Sequence, residues 1–536
     1  MNKNKFLYKI KATVAVALCA TVLGACTDNF YDINKNPAEP NEEEIEVGNY
    51  KLGAFFSQMQ NIVYPVQENA YQMCQNLVSD VYGRYLTITN DGWKTNYAIF
   101  NAPLGWLSSP FNDPFDQIYG AWGLIKTAYD EDANRAHYFA LAQILRVAAM
   151  HRVTDSYGPI PYSKVANGNI VVPYDTQEEV YNAMFTDLND AIAVLTDFVE
   201  KYPDSKPLKE FDQVYGGDYV KWIKYANSMK LRMALRIAYG DPVLAQKMAE
   251  EAVSQKYGII LTNSDNAYNV FPKNPYHKVC TEWGDSRVCA DIVTYMVGYN
   301  DPRLGQYFTT TSPDEKFTGK LEVPKDAFLG LRSGITIPSK SWGMQYSNVT
   351  FTNSSKVLWI SASELAFAKA EGVLRGWNMG GGTAESLYKE GIVLSFEQWN
   401  ASGSGDYMND DTSKPADYTD KSFPAKALST ITIKWKTGAD FETNLEQIMT
   451  QKWIAMWPLG MESWSEQRRT GYPRFFPVVV NDNADQSLTT KLAARIPYPP
   501  SEKENNLTNY NAALQLLGGA DNYSTKLWWD KKTNKP

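Results

Sequence analysis

Histidine is almost missing from this chain, with three in 536 residues. His137 and His151, placed on one helix, would stand about 21 Å apart at 1.5 Å per residue, too far to share a metal ion. Cysteine is nearly as scarce: the five are Cys19, Cys26, Cys74, Cys280 and Cys289. Disulfides are therefore not the framework of so large a body, although Cys280 and Cys289 are open to pairing. No G-x-S-x-G, H-E-x-x-H or Walker-type loop is present, and the strand–helix alternation of a barrel hydrolase is missing. No apolar run reaches the roughly 18 residues that a membrane-spanning helix requires. Nor is there a basic surplus: Lys and Arg total 52 against 60 Asp and Glu, a formal charge of −8. Nucleic acid is not an expected partner.

What is present begins at the N-terminus. Lys3, Lys5, Lys9 and Lys11 precede an apolar stretch from Ala12 to Leu23, which ends in Gly24-Ala25-Cys26. Charged start, short apolar middle and small residues at the end are the marks of a secretory signal peptide. About 12 apolar residues cover about 18 Å, short of a bilayer's hydrocarbon core. The sequence Leu23-Gly24-Ala25-Cys26 resembles the lipobox of bacterial lipoproteins, with cleavage before a lipidated Cys26. Two or more acyl chains hold a protein stably at a membrane, where one does so only reversibly. The expected organisation is a signal peptide over 1–25, a lipidated tether over 26–50 and a single domain over 51–536. Removing the four signal lysines takes the formal −8 to about −12, a mildly acidic extracytoplasmic body.

Helical periodicity dominates that body. "TQEEVYNAMFTDLNDAIAVLTDFVEKY" opens with Thr176 and Glu179 in capping-box spacing and lines up Val180, Met184, Leu188, Ile192 and Leu195 on one face. Similar patterns predict helices over 54–80, 114–130, 132–153, 218–239, 242–255, 285–298, 361–376, 384–399 and 441–457. Short turns such as the one with Gly240 and Pro242 suggest antiparallel hairpins stacked in a solenoid-like scaffold, without a clean 34-residue repeat. Strand candidates are few: "IVVPY" near 170, "SNVTFTN" near 350 and "TITIKW" near 432. The fold class is mainly α. Residues 400–427 lose the helical period and fill with Gly, Ser, Asp and Pro, a long surface excursion without the calcium-loop pattern.

The segment "QKWIAMWPLGMESWSEQRRTGYPRFFP", 451–477, reads as a helix end and a new helix. Pro458 is expected in the new first turn, Glu462 near the positive end of the dipole, Arg468 and Arg469 at the negative end, and Gly471 as terminator. The same segment resembles the C-terminal signature of the SusD/RagB family. "FYDINKNP", "HRVTDSYGPIPYS", "NDPRL", "ELAFAKAEGVLRGW" and "RIPYPPSEKENN" are similar to that family in the family's order, closest to its divergent SusD-like branch. The resemblance implies tetratricopeptide-like hairpins in an outer-membrane, surface-exposed lipoprotein of Bacteroidetes-type bacteria. It implies a non-enzymatic protein that captures oligosaccharides, or in some members peptides, and passes them to a SusC-type TonB-dependent transporter. No cofactor is expected, and starch is not implied as the ligand.

Ligand candidates are aromatics in the loops near 90–115, 270–350 and 400–427, because a flat ring stacks on the apolar face of a sugar. Trp93, Tyr97 and Trp106 lie in the first of these; Tyr276, Trp283 and Trp342 in the second. Asn90, Asp91 and Asn96 stand beside them as hydrogen-bonding groups or as ordinary turn formers. Trp122, Trp222, Trp377, Trp399, Trp453, Trp457 and Trp464 fall in helical pattern and are assigned to packing. The rival reading is a glycoside hydrolase using Glu462 and Glu466, four apart on one helix; with Arg468 and Arg469 adjacent, an ion-pair network fits better. A helical scaffold without ligand is the third reading.

Overall fold

The computed structural model describes residues 50–165 and 171–536. The signal peptide, Cys26 and the tether up to residue 49 lie outside the described residues. Residues 53–536 hold together as one unit.

Helix α1 (Tyr50–Val63) precedes a second helical stretch that runs as α2 (Glu68–Tyr71) directly into a π-helical segment, Gln72–Asp80. The helix expected over 54–80 is thus interrupted at Tyr64–Gln67, where Pro65 cannot continue the ladder. Then come α3 (Ser109–Glu131), α4 (Ala136–Tyr157), α5 (Gln177–Lys201), α6 (Tyr219–Arg236) and α7 (Pro242–Ser254). Each packs on the next in the series, as stacked hairpins do. The Thr176 hydroxyl caps α5 by accepting the Glu179 N–H at 3.1 Å, and the Glu179 carboxylate accepts the Thr176 N–H at 2.8 Å. Val180, Met184, Leu188, Ile192 and Leu195 are all buried. Each such side chain contributes about 1.5–3 kcal/mol on full burial, so α5 is held chiefly by its apolar face.

A second group follows: α8 (Ala290–Gly298), α9 (Ala362–Leu374), α10 (Ala384–Gln398), α11 (Phe441–Ala455), α12 (Gly460–Thr470) and α13 (Leu507–Leu517). Helices α9, α10 and α11 pack together; α9 also meets α6, while α12 lies against both α6 and the π-helical segment. Gly471, at φ 86°, ends α12 in the left-handed conformation as expected. Pro458 lies two residues before α12, not in its first turn. The position that matters there is Gly460: a Cβ on it would stand 2.6 Å from Asp80 Cα, so only glycine lets α12 meet the π-helical segment.

Among the described residues, strands are confined to two antiparallel pairs, β1 (Leu86–Ile88) with β3 (Ser286–Val288), and β2 (Ala267–Asn269) with β4 (Val357–Ile360). None was among the expected strands. Of "IVVPY", the described residues 171–174 form no strand, and "SNVTFTN" makes one isolated bridge, Val349 to Phe308. "TITIKW" forms no strand and bends at Ile433–Lys434, where the Gln447 amide donates to the carbonyls of Thr432 and Lys434 in place of a neighbouring strand. The helix expected from 285 starts only at Ala290, because residues 286–288 pair with β1. Cys280 and Cys289 are separate buried thiols.

Candidate functional site

The two carboxylates of the hydrolase reading are clamped. Glu462 is 3 % exposed and Glu466 4 %. Arg236 of α6 donates to Glu462 at 2.5 Å, with Arg232 at 3.6 Å. Arg469 donates to Glu466 and, through both terminal nitrogens, to Glu371 of α9 at 2.5 and 2.7 Å. Arg232 holds Glu364 in the same two-pronged way, 2.7 Å at each oxygen, and Arg236 also pairs with Asp155 of α4. Burial alone would push Glu462 up; Arg232 and Arg236 overcome it and hold the carboxyl down at about 2. For Glu466 burial is likewise outweighed, by Arg469 first and then Lys452. A scissile bond cannot enter between carboxylates already occupied by guanidinium groups, and neither is poised to give a proton near neutrality.

A cavity of about 200 Å³ opens elsewhere, built from residues 87–99, 332–337 and 480–482. Trp93 lies in its wall, together with Asn90, Asp91, Asn96, Arg332 and Asp482. Ile88, Ile99, Ile335, Ile337 and Val480 supply apolar surface. The three segments are tied by backbone bonds: Asp482 N–H donates to Ile99 C=O at 3.0 Å, and the N–H groups of Val479 and Val480 both donate to Gly334 C=O. Gly334 has φ +68°, and a Cβ there would meet Val478 side-chain carbons at 2.5 Å, so this close approach requires glycine.

The loop's own polar groups fix its shape. Thr89 N–H donates to Asp285 C=O and Thr89 Oγ1 to Gly284 C=O, carrying the β1 register into the loop. The Asn90 amide donates to Asp285 at 3.1 Å while its oxygen accepts the Gly92 N–H at 3.0 Å. Asp91 accepts the Lys340 N–H at 2.8 Å, and the Asn96 amide donates to the Trp93 carbonyl at 2.9 Å. Asn90 thus has both its amide nitrogen and its amide oxygen bonded within the protein; the Asn96 Oδ1 is buried without a partner.

The six expected aromatics divide by exposure. Trp93 and Trp106 are half-buried neighbours, edge to face with centroids 5.3 Å apart; Trp93 lines the cavity, and Trp106, outside the lining, braces it. Trp283 is also half-buried but lies outside the cavity lining, with Lys278 5.8 Å from its ring. The other three have no face to offer. Tyr97 is 0 % exposed and donates to the Trp106 carbonyl. Tyr276, 1 % exposed, is wedged between Tyr71 and Phe351. Trp342, 0 % exposed, bonds the Leu321 carbonyl and packs in the cluster that contains Ile335 and Ile337, behind the cavity wall. Large rings in these loops fasten them to the core. Trp222, Trp453, Trp457 and Trp464 are core residues as assigned. Sequence reading did not single out Arg332, Val480 or Asp482, whose segments carry no aromatic or motif signal and reach the cavity only through the fold.

Residues 32–530 match the family described as SusD-like, the SusD and RagB outer membrane lipoproteins. This chain belongs to the SusD-like family. It is 39% identical to a SusD homologue of Bacteroides thetaiotaomicron, with TM-score 0.83 over 90% of this chain and 99% of that one. A Bacteroides uniformis homologue is 40% identical, TM-score 0.84, over 90% and 100%. A chitin-binding SusD homologue of Flavobacterium johnsoniae is 35% identical, TM-score 0.84, over 90% and 99%. No curated protein matches. Among the described residues, no helix of this SusD-like chain is long and apolar enough to cross a membrane.

Proposed function

We propose that this SusD-like protein is a non-catalytic glycan receptor, tethered through Cys26 at the cell surface of the outer membrane, that passes oligosaccharides to a SusC-type TonB-dependent transporter. The observation that carries the reading is the half-buried Trp93 at the cavity, braced by Trp106 on a loop whose polar groups are engaged in holding it rigid. An indole held this way offers a sugar ring an apolar surface without losing side-chain freedom on binding. The chitin-binding relative supports a glycan over a peptide as ligand. Trp106 and Trp283 are secondary contacts in this scheme.

A glycan panel screened against residues 27–536 tests it: saturable binding of at least one oligosaccharide, weakened in Trp93→Ala, is the expected result. Binding of peptides alone would replace the glycan by a peptide ligand, and release of reducing ends would end the non-catalytic reading. Cys26→Ser is expected to be lost from membrane fractions; retention there at the wild-type level would overturn the tether. Co-purification of a TonB-dependent transporter from outer membranes tests the partner.

A further inference from the structure

The charge behind the cavity is incompletely matched. Arg332 lines the cavity yet is only 5 % exposed. It donates to the carbonyls of Phe423 at 3.3 Å and Pro477 at 2.7 Å, two of the five N–H groups that a guanidinium carries. Its Nε is buried without a partner. Arg84, 3 % exposed, lies near enough for the two guanidinium charges to repel; its one hydrogen bond goes to the Phe476 carbonyl at 3.5 Å, and its Nε also lacks a partner. Arg84 has φ 59°, a left-handed conformation uncommon outside glycine.

Among the described residues no carboxylate is in ion-pair contact with either arginine. The acid acting on Arg332 is Asp291, whose oxygens already accept the Phe476 N–H at 2.7 Å and the Cys289 thiol at 3.2 Å. Burial accordingly pushes the Arg332 guanidinium below its ordinary value, with Asp291 opposing and Arg84 adding to the shift. Two largely buried cations face one occupied anion, and the Phe476 ring lies 4.8 Å from the Arg332 guanidinium. By contrast, Arg232, Arg236 and Arg469 in the cluster around Glu462 are each in ion-pair contact with a carboxylate.

The remaining charges at the cavity are Lys94, Asp91 and Asp482. Lys94 and Asp482 are exposed, where water and salt weaken their fields, and Asp91 is engaged with the Lys340 N–H. The buried arginine therefore sets the preference of the interior, because charges interact more strongly away from solvent.

We infer that this cavity selects a sugar residue bearing an anionic substituent, a uronate carboxylate or a sulfate ester, with Arg332 as the specificity-determining cation beside the Trp93 stacking face. The inference rests on the glycan reading above. An anion supplies what the arginine lacks, an opposite charge in contact with its guanidinium.

The experiment compares matched ligands on the wild-type protein, residues 27–536. An oligogalacturonide and its fully methyl-esterified form share a backbone and differ in charge; a sulfated glycosaminoglycan oligosaccharide and its desulfated form make the second pair. The acidic member of one pair is expected to bind at least about tenfold more tightly, the scale of one charge-assisted hydrogen bond, with the gap narrowing as salt rises from 20 to roughly 500 mM. Which pair shows the gap separates carboxylate from sulfate. Arg332→Gln, checked for an unchanged melting profile, should reduce that gap, while Trp93→Ala should weaken both members alike. Equal binding of charged and neutral members, still dependent on Trp93, overturns the inference and leaves the glycan reading standing. Binding of no member of either pair, with a neutral glycan captured from the panel, also overturns it; capture of no glycan at all overturns both.

Discussion

Two regions of this chain place arginines, acids and tryptophans together and use them differently. Around α12, Glu371, Glu462 and Glu466 are each in contact with cationic side chains, and Trp464 is 1 % exposed. At the cavity, the loop's amides and carboxylates bond mainly to its own backbone and its neighbours, one indole keeps an accessible surface, and the arginine in the wall has no carboxylate partner. Residue type does not separate structure from function here. What separates them is whether a buried guanidinium has a carboxylate against it: Arg236 and Arg469 do and hold helices together, and Arg332 in the cavity wall does not.

The largest expected effect comes from breaking the first region. Glu371→Ala leaves the Arg469 and Arg375 guanidiniums short of a buried anion, and unfolding in denaturant should show a loss of about 3–5 kcal/mol. If the loss is under about 1 kcal/mol, the cluster does not hold these helices. Glycan affinity of the folded fraction should be unchanged, which keeps the two regions distinct.

Acid should act on the helical scaffold, away from the cavity. Burial lowers His137 to about 4 from an ordinary 6.5, and lowers His151 as well, against the pull of Asp155. His137 stays neutral in the fold down to about pH 4, so as pH falls below 6.5 the unfolded chain takes up a proton that the folded one does not. Stability is lost progressively toward pH 4, by about 3 kcal/mol from His137 alone. The denaturant midpoint of His137→Gln should slope less with pH over that window, and an unaltered slope would remove His137 as the cause.

Gly460→Ala sharpens the packing account. The new methyl meets the Asp80 backbone with no room to retreat, a cost of about 1–3 kcal/mol by thermal unfolding. Gly105, whose added Cβ would meet nothing within 4 Å, is the control, and its Ala variant should leave the melting temperature nearly in place.

The smallest effect on stability should come from the cavity. Trp93→Ala should shift unfolding by about 0.5–1.5 kcal/mol, the scale of its edge-to-face contact with Trp106. It should weaken glycan binding by about 1–3 kcal/mol, by analogy with bases stacked on aromatics. Trp342→Ala should behave in reverse, losing stability by about 3–5 kcal/mol as a fully buried ring does. Equal stability losses at the two positions would erase the distinction between an open and an enclosed tryptophan.

Local signals carried far in this chain where they were complete within a few residues. Thr176 and Glu179 mark the start of α5 because both halves of the capping exchange lie three residues apart, and Gly471 marks the end of α12 for a similarly local reason. They failed where a distant partner decided the outcome. Residues 286–288 became a strand because β1, some 200 residues earlier, pairs with them, and "TITIKW" did not because a side chain of α11 took its carbonyls.

By itself the sequence determined the class of the fold, most of the helices and the family, since periodicity, caps and ordered motifs are written along the chain. It also offered six loop aromatics as equals. Only tertiary structure decided that Trp93 stands at a cavity while Tyr97, Tyr276 and Trp342 are sealed, and that Arg332 joins it from more than 230 positions away. Exposure and pairing depend on which distant segments close over a side chain, and that is settled when the chain packs, not when its residues are strung in order.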